Sequence, residues 1–132
     1  MSVQKLFEDA IIPVIEQGGP SYFRVFINSC RYRGPNGRKC AIGHLIPDEL
    51  YNEKIEDKRA FMLPANIKNY IILKYDLEDE DIIDYVQKIH DDLTNNNNEI
   101  IHDNVFLHDF IKKAYEGCKN HNVNPSFLDK YT

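Results

Sequence analysis

The sequence predicts an α+β domain, in which several helices pack on one face of a small antiparallel β-hairpin or three-stranded sheet. Two observations lead to this fold class. Apolar residues recur at helical spacing in four segments along the chain, whereas residues 21–46 are rich in β-branched and aromatic side chains and contain a Pro-Asn-Gly turn. At 132 residues, with 42% hydrophobic and 28% charged content, residues 1–132 are most simply one domain that buries its own core.

The first predicted element is an amphipathic helix from Val3 to Gln17. Ser2 is its expected N-cap, and Gly18-Gly19-Pro20 ends it. Six apolar residues at helical spacing predict the buried face: Leu6, Phe7, Ala10, Ile11, Val14 and Ile15.

Residues 30–46 are predicted to form a β-hairpin around the three-residue loop Pro35-Asn36-Gly37, because Pro35 favours a type I turn and Gly37 accepts a left-handed conformation. Gly34 then pairs with Arg38. The following pairs are Arg33 with Lys39, Tyr32 with Cys40, Arg31 with Ala41, and Cys30 with Ile42. Alternation places Cys30, Tyr32, Cys40 and Ile42 on an apolar face, and Arg31, Arg33, Lys39 and Ala41 on a basic face.

The rest of the chain is predicted to be mainly helical. Pro47 to Tyr51 is the first turn of a short helix, and residues 52–62 form a charged loop. Longer helices are expected over Ala65–Tyr75, over Glu78–Leu93, and from Asp103 or Asn104 to about Asn120. The inward residues are Ile67, Ile71 and Ile72 in the first, Ile82, Ile83, Val86, Ile89 and Leu93 in the second, and Val105, Phe106, Phe110, Ile111, Ala114 and Cys118 in the third. Residues 95–98 are a polar linker, and the irregular tail 122–132 is held by Phe127 and Leu128.

The charges are unevenly distributed. No acidic residue occurs between Glu16 and Asp48, and five basic residues give this segment a charge of +5, while the remaining chain carries −10 within a net charge of −5. Two interpretations are open. The basic hairpin packs against acidic helices of the same chain or of a symmetry mate, or it binds an anionic ligand or partner.

The spacing Cys30-x9-Cys40-x3-His44 has the residue types of a zinc site. On a straight strand, however, Cys40 and His44 would be about 13 Å apart, at roughly 3.3 Å per residue, and no fourth ligand lies nearby. We therefore predict no metal, with less than stoichiometric zinc on analysis, and no cofactor. The three cysteines and the absence of a signal-like N-terminus favour reduced thiols and a cytoplasmic location, which includes the cytoplasm of a host cell.

Catalysis would depend on titratable side chains, of which His44, Asp48 and His90 are the leading candidates. If these three met in a cleft, the protein would be a small hydrolase or transferase acting on a phosphorylated substrate. The sequence contains no G-x-S-x-G, P-loop, Rossmann or H-E-x-x-H motif. We therefore prefer a non-catalytic function and expect His90 to lie more than about 6 Å from both His44 and Asp48.

The preferred function is binding of an anion through Arg31, Arg33, Arg38 and Lys39, because arginine forks suit phosphate groups. A nucleotide or an acidic patch on a host protein fits such a surface. General binding to duplex DNA is not expected at a net charge of −5, and no apolar run has the roughly 20 residues of a membrane helix. A structural or assembly protein that self-associates through the hairpin is a third hypothesis, and a homo-oligomer is compatible with it.

The string CRYRGPNGRKCAIGHLIPDELY, followed later by VQKIHD, resembles a family of small uncharacterised proteins from bacteria, phages and large DNA viruses. That family pairs a C-x-YRGPxGxKCAIGxLIPDExY segment with a downstream LQxIHD segment. The resemblance transfers no catalytic role to this chain. The asparagine run at residues 95–98 and the Ile- and Lys-rich composition suggest an AT-rich genome, which fits a viral, phage or mobile-element origin. The resemblance also implies that the first segment, including Pro47-Asp48-Glu49, and the later His90-Asp91 belong to one shared design.

Overall fold

The computed structural model describes residues 2–24, 28–56, 58–94 and 102–132, with only the backbone described for residues 22–24, 28–30 and 35. Four helices dominate: α1 (Val3–Glu16), α2 (Ala65–Tyr75), α3 (Asp81–Thr94) and α4 (Asp103–Asn120). Two short strands, β1 (Tyr22–Arg24) and β2 (Asn28–Cys30), follow α1. Short 3-10 helices occupy Pro35–Gly37, Ile42–Leu45, Asp48–Leu50, Glu53–Ile55, Ala60–Met62 and Pro125–Tyr131.

Helix α1 confirms the prediction for the N-terminal segment. It ends at Glu16, one residue before the predicted end, and Ser2 caps it by accepting a hydrogen bond from Lys5 N at 3.3 Å. All six residues of the predicted apolar face are buried. A continuous apolar stripe lets a helix pack along its length, and α1 lies against α4 and against the 3-10 helix Ile42–Leu45.

Helices α2 and α3 also form where the sequence predicts them. Helix α2 has the predicted bounds. Helix α3 begins at Asp81 instead of Glu78, and the Asp79 carboxylate accepts a hydrogen bond from Asp81 N at 2.9 Å. Asp79 therefore precedes the helix and binds the backbone at its start, while Asp81 and Asp84 lie in its first turn, which accounts for the shifted boundary.

Helix α4 and the tail differ from the prediction in three details. The residue before α4 is His102, whose side chain makes no capping hydrogen bond. Val105, predicted to face inward, is 53% exposed. The tail is a 3-10 helix, Pro125–Tyr131, rather than irregular, although Leu128 is buried as predicted. The predicted linker at residues 95–98 lies outside the described residues.

The predicted α+β fold class is wrong. The described chain is built mainly from helices, and residues 31–46, on which that prediction depended, form turns and 3-10 helices instead of a β-hairpin. The strand pairing that the structure describes is a three-residue antiparallel ladder between β1 and β2, with Phe23 opposite Ser29. Such a ladder is too short to serve as a layer on which helices pack. The predicted basic hairpin and three-stranded sheet are both incorrect.

The closing pair of the predicted hairpin does form. Gly34 N donates to Arg38 O at 2.8 Å, around a turn in which Asn36 and Gly37 have φ values of 61° and 74°. Beyond this pair, side chains from other parts of the chain bind backbone donors of the segment, including Tyr32 N and Ile42 N, which the predicted strand pairing would have used. Glu56 accepts from Tyr32 N and Arg33 N, Gln17 accepts from Lys39 N, and Gln87 accepts from Ile42 N.

Gly43 gives a second reason for the absence of a strand. A Cβ at this position would overlap the carbonyl group of Tyr32, so the two backbone segments pass in direct contact. The chain turns here, and His44 N donates to Cys40 O at 3.2 Å. Ala41, which the hairpin would have placed on the basic face, is fully buried.

The core is one cluster to which all four long helices and the 3-10 helix Ile42–Leu45 contribute. Phe106 and Phe110 of α4 stack with ring centroids 5.2 Å apart, and His90 of α3 meets Phe106 edge-on at 5.5 Å. Each large apolar side chain buried in this way contributes roughly 1.5–3 kcal/mol relative to exposure. Within the described residues, no helix combines the length and apolar character needed to cross a membrane.

Candidate functional site

Arg31 and Arg33 lie beside one buried carboxylate, that of Glu56. Glu56 accepts hydrogen bonds from Tyr32 N at 2.9 Å, from Arg33 N at 3.2 Å and from the Tyr51 hydroxyl at 2.6 Å. Arg31 Nη2 is 4.0 Å from Glu56 Oε2. Burial and the hydrogen bond to Glu56 raise the pKa of Tyr51 to about 12, so its hydroxyl remains a donor at neutral pH. We call Arg31, Arg33, Asp48, Tyr51 and Glu56 the arginine site.

The guanidinium of Arg33 is held asymmetrically. Its Nη2 donates to Asp48 Oδ1 at 2.6 Å and to Ile46 O at 3.3 Å, and its plane lies 4.2 Å from the centre of the Tyr51 ring. The Nε atom is buried without a hydrogen-bond partner. Among the described residues, both hydrogen-bond acceptors of this guanidinium contact Nη2 and none contacts Nη1. The Asp48 side chain is 86% exposed.

Arg38 points to a different part of the molecule. Its two terminal nitrogens form a bidentate pair with Asp103 at the start of α4, at 2.9 and 3.0 Å. Hydrogen bonds from Arg38 hold the pKa of the Asp103 carboxyl below its usual value. A Cβ at Gly19 would overlap both side chains, so the glycine at the end of α1 makes room for this pair. The basic residues therefore do not form the single face that the hairpin implied.

Lys39 and His44 share a partner that the sequence analysis did not identify, Gln17. The Gln17 amide accepts from Lys39 N at 2.9 Å and donates to Lys39 O at 2.8 Å. Its Oε1 also lies 2.9 Å from His44 Nε2; since an amide oxygen only accepts, His44 Nε2 carries the proton. Burial, with smaller contributions from Lys39 and His90, lowers the pKa of His44 to about 4. His44 is therefore neutral near pH 7.

His90 is fully buried and joins α3 to the end of α1. Its Nε2 accepts a hydrogen bond from Ser21 N at 3.0 Å, which leaves the proton on Nδ1, 3.1 Å from Asp91 Oδ1. Asp91 also accepts from Gln87 Nε2 at 2.9 Å, and Gln87 Oε1 accepts from Ile42 N. The hydroxyl of Ser21 bonds the backbone oxygens of residues 31 and 38. This network fixes the position of the whole 31–42 segment.

The three predicted catalytic residues have separate partners. His44 bonds Gln17, Asp48 bonds Arg33, and His90 bonds Ser21 and Asp91. In the part of the chain that the structure describes, no hydrogen bond or ion pair joins any two of them. His90 does contribute electrostatically to the lowered pKa of His44. The expected separation of more than about 6 Å from His90 to the other two side chains stays a prediction.

The reasoning that opposed a metal at Cys40 and His44 was wrong in its geometry, because these residues lie on a turn and not on a straight strand. The thiols of Cys40 and Cys118 are buried. The side chain of Cys30 lies outside the described set. Over residues 2–24, 28–56, 58–94 and 102–132, no group of three or more His, Cys, Asp or Glu side chains is placed to hold a metal ion.

Sequence reasoning missed Gln17, Ser21, Glu56 and Gln87. All four are polar side chains that bond a distant backbone segment, 10 to 45 residues away. The positions carried weak signals: Gln87 belongs to the VQKIHD string, and Glu56 lies in the charged stretch predicted to be a loop. A search for catalytic groups does not identify side chains whose role is to bind a distant backbone segment.

Comparison with known proteins gives no further assignment: no family model matches this chain, and neither a curated protein nor a solved structure is similar to it.

Proposed function

We propose that this chain is a non-catalytic binding protein whose ligand is a small phosphate-bearing anion, such as a nucleotide, bound at the arginine site. The observation that carries the proposal is the asymmetric Arg33–Asp48 pair. A single guanidinium nitrogen holds a carboxylate that is 86% exposed, and the stacked Tyr51 ring supports the guanidinium from one face.

An incoming phosphate competes with Asp48 for Arg33 at a small energetic cost. Ion pairs in which a partner is exposed typically contribute less than about 1 kcal/mol, which corresponds to a factor of about five in affinity. A phosphate offers three acceptor oxygens and can bind the guanidinium through two nitrogens, whereas Asp48 uses one nitrogen. The exchange therefore favours the anion.

Arg31 adds a second cation to the same site. Its side chain is 27% exposed, its Nη2 lies 4.0 Å from Glu56 Oε2, and its Nε donates a hydrogen bond to Arg33 O at 3.3 Å. Glu56 is committed to two backbone N–H groups and to Tyr51, so it remains in place when a ligand binds. Arg38 is not included in the proposed site, because Asp103 fills its fork. Lys39 is not included, because its described interactions are with Gln17 and His44 and not with the residues of the arginine site.

The test is isothermal titration calorimetry with pyrophosphate and with ATP at low ionic strength, where exposed charges are least screened. Arg33→Ala should lower affinity at least about tenfold, whereas Asp48→Asn should raise it, by up to about fivefold. The opposite signs distinguish a binding site from a structural ion pair, since a purely structural pair would lose stability in both variants and bind nothing.

Arg38→Ala is the matched control, because it removes an equally charged side chain whose fork faces Asp103. Binding should remain within about twofold of the wild type in this variant. Loss of binding in Arg38→Ala as large as in Arg33→Ala would assign the affinity to general positive charge and refute the arginine site. Affinity for an acidic peptide without affinity for pyrophosphate or ATP would replace the proposed ligand by a protein partner.

A further inference from the structure

An open groove runs between α4, the end of α1 and the C-terminal 3-10 helix, remote from the arginine site in sequence. Its volume is about 660 Å³, within the range of small-molecule sites. Leu107, Ile111 and Tyr115 lie at successive i, i+4 spacings on α4 and form one wall. Ile15 and Tyr131 line the remainder. We call this the α4 groove.

Polar atoms of the wall are already bonded within the chain. The Tyr115 hydroxyl donates to Asp129 Oδ1 at 2.6 Å, and the Tyr131 hydroxyl donates to Glu16 Oε2 at 3.0 Å. Thr132 Oγ1 donates to the backbone oxygen of Asp129 at 3.0 Å. These hydrogen bonds fix the two aromatic rings and satisfy the donors of the wall, so the surface left to a ligand is apolar.

Two of the residues that line the groove have basic side chains. Lys112 and His108 lie on α4 next to the apolar wall. The His108 side chain is 81% exposed and is 3.2 Å from Asp109, whereas Lys112 forms no ion pair with any residue that the structure describes. The nearby carboxylates, Asp129 and Glu16, do not line the groove and accept hydrogen bonds from its tyrosines.

From this arrangement we infer that the α4 groove binds an amphipathic monoanion, with an unbranched apolar body along Leu107, Ile111 and Tyr115 and a carboxylate or similar head beside Lys112. Apolar surface next to one unpaired ammonium is complementary to this class of molecule. The site is independent of the arginine site, because it shares no residue with it, and it adds a second ligand class to the protein.

The experiment titrates the protein with dodecanoate and with dodecanol, both below the concentration at which they aggregate, and follows binding by calorimetry. Dodecanoate should bind saturably at one site. Ile111→Glu, which places a carboxylate in the wall, should weaken dodecanoate at least about tenfold. Ile111 is only partly buried, and a thermal unfolding curve of the variant checks that the fold persists.

The head group is tested separately. Lys112→Gln should weaken dodecanoate by about fivefold, the factor that an exposed ion pair typically supplies, and should leave dodecanol unchanged. Lys119→Gln is the control, because Lys119 is an exposed cation at the end of the same helix that does not line the groove. Equal effects of the two lysine substitutions, or no saturable binding of dodecanoate, would overturn the inference. So would a concentration-dependent dimer that Ile111→Glu abolishes, since a second copy of the chain would then occupy the groove.

Discussion

Replacing Glu56 by alanine should destabilise the fold by about 2–6 kcal/mol, more than any other single change to a charged side chain in the 31–56 segment. Glu56 accepts three hydrogen bonds, and two of the donors are the consecutive backbone groups Tyr32 N and Arg33 N. A buried donor left without a partner costs roughly 1–3 kcal/mol. The Tyr51 hydroxyl is partly exposed and can bond water, so the two backbone donors set the estimate.

This cost is large compared with the total stability of a domain of this size, which is typically about 5–15 kcal/mol. Water that enters the space left by the side chain would move the value toward the lower end of the range. Glu56→Gln is expected to be intermediate, because the amide oxygen still accepts one hydrogen bond while the amide nitrogen faces a donor. Tyr51→Phe removes one hydrogen bond and should cost about 1 kcal/mol.

Urea unfolding followed by circular dichroism at 222 nm measures these differences. Glu53→Ala is the matched control, because Glu53 is exposed and lies three residues earlier in the same 3-10 segment; its expected effect is below about 0.5 kcal/mol. If Glu56→Ala falls within about 1 kcal/mol of Glu53→Ala, the carboxylate does not hold the 31–33 backbone, and the explanation given above for the absent hairpin fails with it.

Three further outcomes follow from buried groups. Gly43→Ala should lower the melting temperature by several degrees, equivalent to roughly 2 kcal/mol or more, because its Cβ would overlap the Tyr32 carbonyl group; a neutral effect in a thermal scan would contradict the close backbone contact. The pKa of His44 is lowered to about 4, so between about pH 6.5 and 4 the unfolded chain binds a proton that the folded chain does not. The free energy of unfolding should therefore fall as the pH decreases through this range. Denaturation curves taken at about pH 4.5 and about pH 7 should show a smaller difference for His44→Gln than for the wild type. Burial raises the pKa of the Cys118 thiol to about 11, so Ellman's reagent at pH 8 should modify Cys118 only after unfolding; rapid labelling of the folded protein would contradict its burial.

The helices could be predicted from the sequence because their information is local. In α1, six residues at helical spacing predict the buried face, and all six are buried. Amphipathic periodicity and capping residues act within one or two turns, so a single sequence contains what is needed. The errors fall at helix ends and at Val105, where tertiary packing decides which residue of the first turn is covered.

Residues 30–46 were predicted wrongly because the side chains that bind their backbone N–H groups are distant in sequence. Strand-favouring residues and a Pro-Asn-Gly turn predict pairing between residues 30–34 and 38–42, and the turn itself closes as expected. The remaining backbone donors are taken by Glu56, Gln17 and Gln87, which lie 22 to 45 residues from their partners. Alternation of apolar and polar residues indicates which side chains are buried, but it does not show that they lie on a strand. Tyr32 is buried as the alternation predicts, although it does not lie in a strand.

Prediction of the site was limited in the same way. Arg31 and Arg33 could be recognised from their charge, but their placement beside Glu56 and Asp48 depends on the turns of the 3-10 segments. Arg38 could not be separated from them without knowing that Asp103 begins α4 next to Gly19. One of the two interpretations of the charge asymmetry was ion pairing within the chain. It accounts for Arg38, which pairs with Asp103 through two nitrogens. It accounts less completely for Arg33, whose partner Asp48 is exposed.

The segment of residues 30–51 and the VQKIHD string of residues 86–91 are joined directly in this fold. Gln87 accepts a hydrogen bond from Ile42 N at 2.9 Å, and His90 accepts one from Ser21 N, whose own hydroxyl bonds the backbone oxygens of residues 31 and 38. Because these groups are buried or partly buried, water is a poor substitute for them, and the contacts help to hold both segments in place. The same reasoning separates side chains that maintain the fold from a side chain that is available to a ligand. Gln87, His90 and Ser21 maintain the fold, whereas Arg33 makes its charged contact with an exposed carboxylate; such a side chain is available to a ligand, and this difference is the reason for placing the proposed function at the arginine site.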